Sequence, residues 1–145
     1  MPAWVRAACE EYLKRLAGAL PVTLTQIEAA TRSAGGDATR ARTAEGRRIL
    51  GAITPREHVV VLDERGKELA TRELAEWLKL RMREGDDLAF VIGGADGLST
   101  QVQERANFRL SLSRLTLPHA LARVLLAEQL YRAHGILTNH PYHRE

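Results

Sequence analysis

The chain has 145 residues, 45% of them hydrophobic, which is enough for one domain around one core and short for two. Its formal charge of +3 favours polyanionic partners without identifying one, and its single cysteine, Cys9, excludes an intrachain disulfide and a thiolate zinc cluster. No run reaches the roughly 18 apolar residues of a membrane span, and Met1-Pro2-Ala3-Trp4 lacks the basic-then-apolar layout of a signal peptide, so a soluble, cytoplasmic protein is expected.

From Pro2 to about Gly18 the spacing predicts an amphipathic helix, with Trp4, Ala8, Tyr12 and Leu16 on its inner face beside Val5, Cys9 and Leu13. Glu10 with Lys14 and Glu11 with Arg15 form acid-before-base pairs on its solvated side. Pro21 to Ala29, carrying Val22, Leu24 and Ile27 among threonines, reads as a strand. The next ten residues have loop composition, and Asp37 can cap a helix running to about Ile53. Arg32, Arg40, Arg42, Arg47 and Arg48 make this the most basic segment, either an arm that grips phosphates or a solvated helix face. Gly46 weakens such a helix by about 1 kcal/mol relative to alanine.

His58-Val59-Val60-Val61-Leu62 shows no alternation, which predicts a strand covered on both faces, followed by a polar turn over Asp63-Glu64-Arg65-Gly66-Lys67. Thr71 can cap a helix with Leu74, Trp77, Leu78 and Met82 on one stripe, stopped by Gly85. A second unalternating strand follows from Leu88 to Ile92. Strands alternating with helices argue for a single α/β domain over 1–145, with a mostly parallel sheet and helices on both faces. From Phe108 the chain alternates until the phase slips by one at Ser113-Arg114, which predicts a bend. Thr116 can then cap a helix with Pro118 in its first turn. That helix is apolar nearly all round from Leu121 to Leu130, as burial on two sides demands, with the sheet on one side and a second copy of the chain on the other.

Ligands of such sheets lodge beyond the carboxyl ends of the strands, here Leu62 to Gly66 and Gly93 to Leu98. Glycines 93, 94 and 97 do not have dinucleotide spacing, and no Gly-Lys-Ser/Thr loop is present. Gly93 and Gly94 either let the backbone approach something flat or turn the chain. The tail carries His140, Tyr142, His143 and Arg144. Two histidines three apart could bind a metal, but Pro141 lies between them and no third ligand is evident, so no metal site is expected.

Phe90-Val91-Ile92-Gly93-Gly94-Ala95-Asp96-Gly97-Leu98, Ser111-Leu112-Ser113-Arg114-Leu115-Thr116-Leu117-Pro118-His119, Arg123 to Ala133 and the terminal Asn139 to Glu145 together resemble the bacterial ribosomal RNA large subunit methyltransferase H family of the SPOUT class. The resemblance covers essentially the whole chain. It implies a homodimer of α/β domains with a C-terminal trefoil knot, S-adenosylmethionine as cofactor, and methylation of N3 of a pseudouridine in 23S rRNA of the assembled ribosome. It also implies cofactor contacts at Leu62, Gly94, Ser113, Arg114, Leu115, Thr116, Leu117 and Pro118, with Tyr142, His143 and Arg144 bordering the reacting base. Two departures stand out: relatives begin with a further short apolar strand that is lacking here, and Ala95-Asp96 stand where the family usually has Pro-Glu. A non-catalytic, ribosome-associated RNA-binding module is the alternative, and a histidine-dependent metal hydrolase a third.

Overall fold

The computed structural model describes residues 1–27, 37–94 and 97–143. Its elements run α1 (Ala3–Leu16), α2 (Ala38–Ala52), β1 (His58–Glu68), α3 (Thr71–Arg83), β2 (Leu88–Ile92), α4 (Thr100–Arg105), β3 (Phe108–Ser111) and α5 (His119–Leu137). The three strands form a parallel sheet in the order β2-β1-β3. The central run Val59-Val60-Val61 is fully buried, as its lack of alternation predicts. Successive residues face opposite layers. Val60 joins Leu74, Ala75 and Leu78 of α3 and Ala133 of α5. Val59 and Val61 join Val102 of α4, with Ile49 and Leu50 of α2 packed against them. A third layer forms where Leu16 of α1 meets Leu126 and Leu130 of α5.

Helices α3 and α5 end in the same way. At α3, Gly85 takes φ +72 while its N–H bonds Met82 O and that of Asp86 bonds Arg81 O, a Schellman motif. At α5, Asn139 takes φ +57, its N–H bonds Ile136 O and that of His140 bonds Gly135 O. The chain after Asn139 is thereby folded back onto α5. Asp37 caps α2 by accepting the Thr39 N–H at 2.9 Å, as expected.

Several expectations fail for identifiable reasons. The polar stretch after Leu62 is no turn: β1 continues to Glu68, and Leu110 of β3 faces both Leu62 and Lys67, so the residues between them bulge from the ladder. Gly66 permits this, because a Cβ there would stand 2.8 Å from the backbone carbonyl of Arg109. Residues 21–27 join no strand among the described residues, and the end of that predicted strand lies outside them. The short helix α4 was not expected, although Ser99 caps it by accepting the Val102 N–H. Thr116 does not cap α5, which begins at His119 after Pro118. Thr71 is the first residue of α3 rather than its cap. Trp4, expected inside, is 55% exposed, because α1 turns Val5, Cys9 and Leu16 inward. Met82 also points outward.

Gly46 explains itself by packing. A Cβ there would come 2.2 Å from Ser99 Oγ, whereas at Gly51, on the same helix, it would meet nothing within 4 Å among the described residues. Gly46→Ala should therefore destabilise the fold by about 1 to 3 kcal/mol despite alanine's better helix propensity. Gly51→Ala should stabilise it by up to about 1 kcal/mol. Urea unfolding of both variants reads the difference, and equal shifts of one sign would refute the contact.

Candidate active site at the strand ends

Three chain stretches meet beyond the carboxyl ends of the parallel strands. After β2 the chain turns sharply: the Gly97 N–H bonds Gly94 O at 3.0 Å, and Gly97 takes φ +79. The two glycines at the strand end differ. A Cβ on Gly93 would press Leu98 Cγ at 2.9 Å and Gly97 C at 3.1 Å, so Gly93 is required by the turn itself. On exposed Gly94 a Cβ would meet, among the described residues, only Glu45 Oε2, at 3.6 Å. Among the described residues the space beside Gly94 is thus open, bordered by one carboxylate from α2.

After β3 the chain bends where the alternation slips. Ser111 Oγ donates to Ser113 O at 2.9 Å, and Ser113 Oγ accepts the Leu115 N–H at 2.9 Å. The bend leaves Leu115 74% exposed. Thr116 Oγ1 donates to Glu64 Oε2 at 2.8 Å, tying this segment to the bulge of β1 two residues beyond Leu62. Arg114 lies 3.8 Å from Glu68, an exposed pair of little energetic weight.

His119 closes the arrangement. Its Nδ1 lies 2.7 Å from Gly93 O, and Arg123 Nε donates to its Nε2 at 2.5 Å. A carbonyl can only accept, so Nδ1 carries the proton and Nε2 the lone pair. Burial, and then the Arg123 charge, push the His119 pKa below its ordinary value against the opposing Gly93 hydrogen bond. The neutral ring therefore pins the end of β2 to the start of α5. Leu62, Gly94 and the stretch from Ser113 to Pro118 are brought to one end of the sheet by these bonds. They present an exposed glycine backbone, a segment with an exposed leucine, and hydroxyls at 113 and 116.

The tail lies elsewhere within this chain. Tyr142 packs on Tyr131, with ring centroids 4.5 Å apart, and under the Arg132 guanidinium at 4.8 Å. Its hydroxyl donates to Glu128 Oε1 at 3.2 Å. Arg132 pairs with the same carboxylate at 2.6 Å and reaches His143 Nδ1 at 3.4 Å. Burial, the hydrogen bond to Tyr12 and the Glu128 charge push the Tyr142 pKa up to about 12, so its phenol stays protonated at neutral pH. Glu128 stands nine residues after His119, about 14 Å along the helix. Tyr142 and His143 are consequently not brought to Gly94 of their own chain, and Arg144 lies outside the described residues.

A cavity of about 220 Å³ lies between these regions, lined by Leu69, Thr71, Ser111, Leu112, Leu125 and Gln129 among others. Thr71 Oγ1 donates to Gln129 Oε1, and Gln129 Nε2 donates to Glu128, so hydrogen bonds run from the cavity wall to Tyr142. A groove of about 570 Å³ along α1, between Cys9, Leu13, Val22 and Leu24, contains no candidate residue. Among the described residues no three His, Cys, Asp or Glu side chains cluster as metal ligands. Sequence reasoning did not single out Glu45, Glu64, His119, Arg123, Glu128 or Arg132. The pairs His119 with Arg123 and Glu128 with Arg132 were visible as i,i+4 spacings.

His58 behaves like His119: burial, then the Arg81 charge, lower its pKa. For a base whose folded pKa is lowered, the unfolded chain binds the extra proton, so stability is lost as pH falls below about 6.5 toward the folded value. His119→Asn, whose amide can still donate to Gly93 O, should lose less stability between pH 7 and pH 5 than the wild type. Thermal melts across that range check the sign, and an unchanged slope would remove His119 from the account.

A family profile described as "Predicted SPOUT methyltransferase" matches residues 1–143. The chain is 57% identical over 145 residues to "Ribosomal RNA large subunit methyltransferase H" of Thiobacillus denitrificans, covering 100% of this chain and 93% of that one. It is 50% identical over the same shares to the proteins of that name from Chromobacterium violaceum and Neisseria meningitidis serogroup C. With its parallel sheet, its glycine-ended strand and the bend before α5, this chain belongs to the ribosomal RNA large subunit methyltransferase H family of SPOUT methyltransferases.

Proposed function

We propose that the protein transfers a methyl group from S-adenosylmethionine to N3 of a pseudouridine in 23S rRNA of the assembled ribosome, acting as a homodimer. The observation that carries this reading is the joining of three strand-end stretches, through His119 to Gly93 and Thr116 to Glu64, around an open Gly94. The names of the relatives support rRNA as substrate. In this reading the segment from Ser113 to Pro118 belongs to a trefoil knot and, with Leu62 and Gly94, holds the cofactor.

Leu62, Gly94 and the segment from Ser113 to Pro118 would hold the cofactor, which would supply a methyl group already activated by its sulfonium centre. The protein's share is to hold the base in line and to manage one proton on the imide nitrogen. Tyr142, protonated at neutral pH, donates a hydrogen bond rather than accepting that proton. Arg144 stabilises the developing imide anion, and His143 takes the proton.

A second copy of the chain is needed for this. Within one chain the tail is held about 14 Å along α5 from the glycine turn. Leu121 and Leu125, 41% and 39% exposed on successive turns of α5, form, beside the cavity of about 220 Å³, an apolar ridge that a second copy would cover. The tail of one subunit then completes the pocket of the other.

Calorimetry with S-adenosylmethionine should show binding, and the cofactor at 100 times its dissociation constant should add about 2.7 kcal/mol to stability. No binding and no stabilisation would favour a non-catalytic RNA-binding module. Arg144→Ala should lower single-turnover methyl transfer at least about 100-fold with cofactor affinity intact, and unchanged turnover would refute the assigned role. Mixing Arg144→Ala chains with chains blocked at Gly94, as in Gly94→Val, should restore part of the activity. No rescue would count against a shared site.

A further inference from the structure

The positive charge of this protein is concentrated on one helix. Helix α2 contains four arginines and one glutamate, a net +3 equal to that of the entire chain, so the remainder sums to zero. Its buried side is set by Ala41 and Gly46, with Ile49 and Leu50 packed toward the sheet. Arg40 and Arg47, seven residues apart and so two turns along one side, are exposed on the opposite face, with Arg48 exposed beside them. Among the described residues Arg40 and Arg47 have no hydrogen-bond or ion-pair partner within the protein.

This placement does not serve the helix. The first turn holds no acidic residue and carries Arg40, where the helix dipole disfavours a cation, and the last turn holds no basic residue. The arginines are therefore not explained by helix stability. The position of the helix supplies the missing reason: Glu45, on its flank, lies 3.6 Å from where a Gly94 Cβ would stand, so α2 forms a wall of the open space at the strand ends. A strand of RNA whose base enters that space must carry its phosphates past this wall.

We infer that the outer face of α2, through Arg40 and Arg47, docks the phosphate backbone of the RNA that flanks the target nucleotide. The inference rests on the proposed RNA substrate and adds a surface outside the cofactor and tail residues. Phosphate contacts of this kind position the nucleic acid without reading its sequence and make binding salt-dependent. Arginine suits the task because its planar fork can bond a phosphate in two places.

The test compares wild type, Arg40→Glu/Arg47→Glu and Arg40→Lys/Arg47→Lys on ribosomes lacking the modification, by methylation kinetics and by cosedimentation over a potassium chloride series at fixed magnesium. The charge reversal should raise KM for ribosomes at least about tenfold, with kcat at saturation and S-adenosylmethionine affinity within about twofold. It should also reduce the log–log salt slope by about 2, roughly one for each lost phosphate contact. The lysine pair should retain most of the wild-type KM, which a merely structural role for these positions would not require. An unchanged KM and slope, or a fall in kcat alone, overturns the inference while leaving the enzyme assignment standing. A wild type that sediments with ribosomes but does not methylate them sinks the proposed reaction, and docking is then scored by sedimentation alone. Vesicles of one part phosphatidylglycerol to three parts phosphatidylcholine form the control. Binding to vesicles that the charge reversal abolishes, with ribosome binding unaffected, would assign the face to membranes instead and overturn the inference.

Discussion

The burial of β1 on both faces constrains the rest of the molecule. Val59, Val60 and Val61 have no exposed surface, so neither layer of helices can be removed without wetting the strand. In a parallel sheet built on such a strand, all three chains emerge at the same end, and their polar connections are gathered there whether or not function requires it. The hydrogen bonds of Glu64 with Thr116 and of His119 with Gly93 then convert a shared exit into a defined surface. That surface is thus located by the sheet and shaped by a few side chains that leave it.

Helix α5 translates that surface along the molecule. Its first residue pins the β2 turn, its middle packs on α1 and α3 through Leu126, Leu130 and Ala133, and Glu128 near its centre anchors Tyr142 and Arg132. Because a helix has a fixed rise, the distance between the pinned turn and the anchored tail is set by residue count rather than by flexibility. A tail held by its own helix in this way can serve a reaction only at a surface that comes to it. The exposed Leu121 and Leu125 lie between the two ends, on the part of the helix that a second subunit would have to cover.

Runs and spacings were the parts of this fold that could be read directly. The valine run of β1, the Leu88–Ile92 strand, the stripe through Leu74 and Leu78 and the Asp37 cap depend on neighbours close in sequence, and all appear in the structure. Elements that depend on a distant partner were misread. Residues 21–27 have a strand-like composition but pair with no strand among the described residues, and the polar residues after Leu62 look like a turn because nothing local reveals that Gly66 passes the Arg109 backbone. The bend at Ser113 was legible as a slip in phase. Its consequence for Thr116, which bonds Glu64 rather than starting a helix, was not, because the two residues are 52 positions apart. The tail residues could be named only through family resemblance, since Tyr142 owes its environment to Tyr12 and Glu128.

The distribution of charge separates the groups that maintain the fold from those that remain available to a partner. Arg132 and Arg81 are half-buried and paired, with Glu128 and Asp86 respectively, and removing either partner would strand a charge in a poorly solvated place. Arg105 is likewise used internally, donating to the carbonyls of Thr54 and Glu57. Arg40 and Arg47 of α2 form the opposite class: they lie exposed at the outer face of a helix whose buried side is devoted to packing, with Gly46 against Ser99. A chain whose formal net charge equals that of the one helix beside the strand ends has its long-range field biased toward that side. Such a field would draw a polyanion toward the arginine face of α2, whereas the glycine turn itself is bordered by the carboxylate of Glu45.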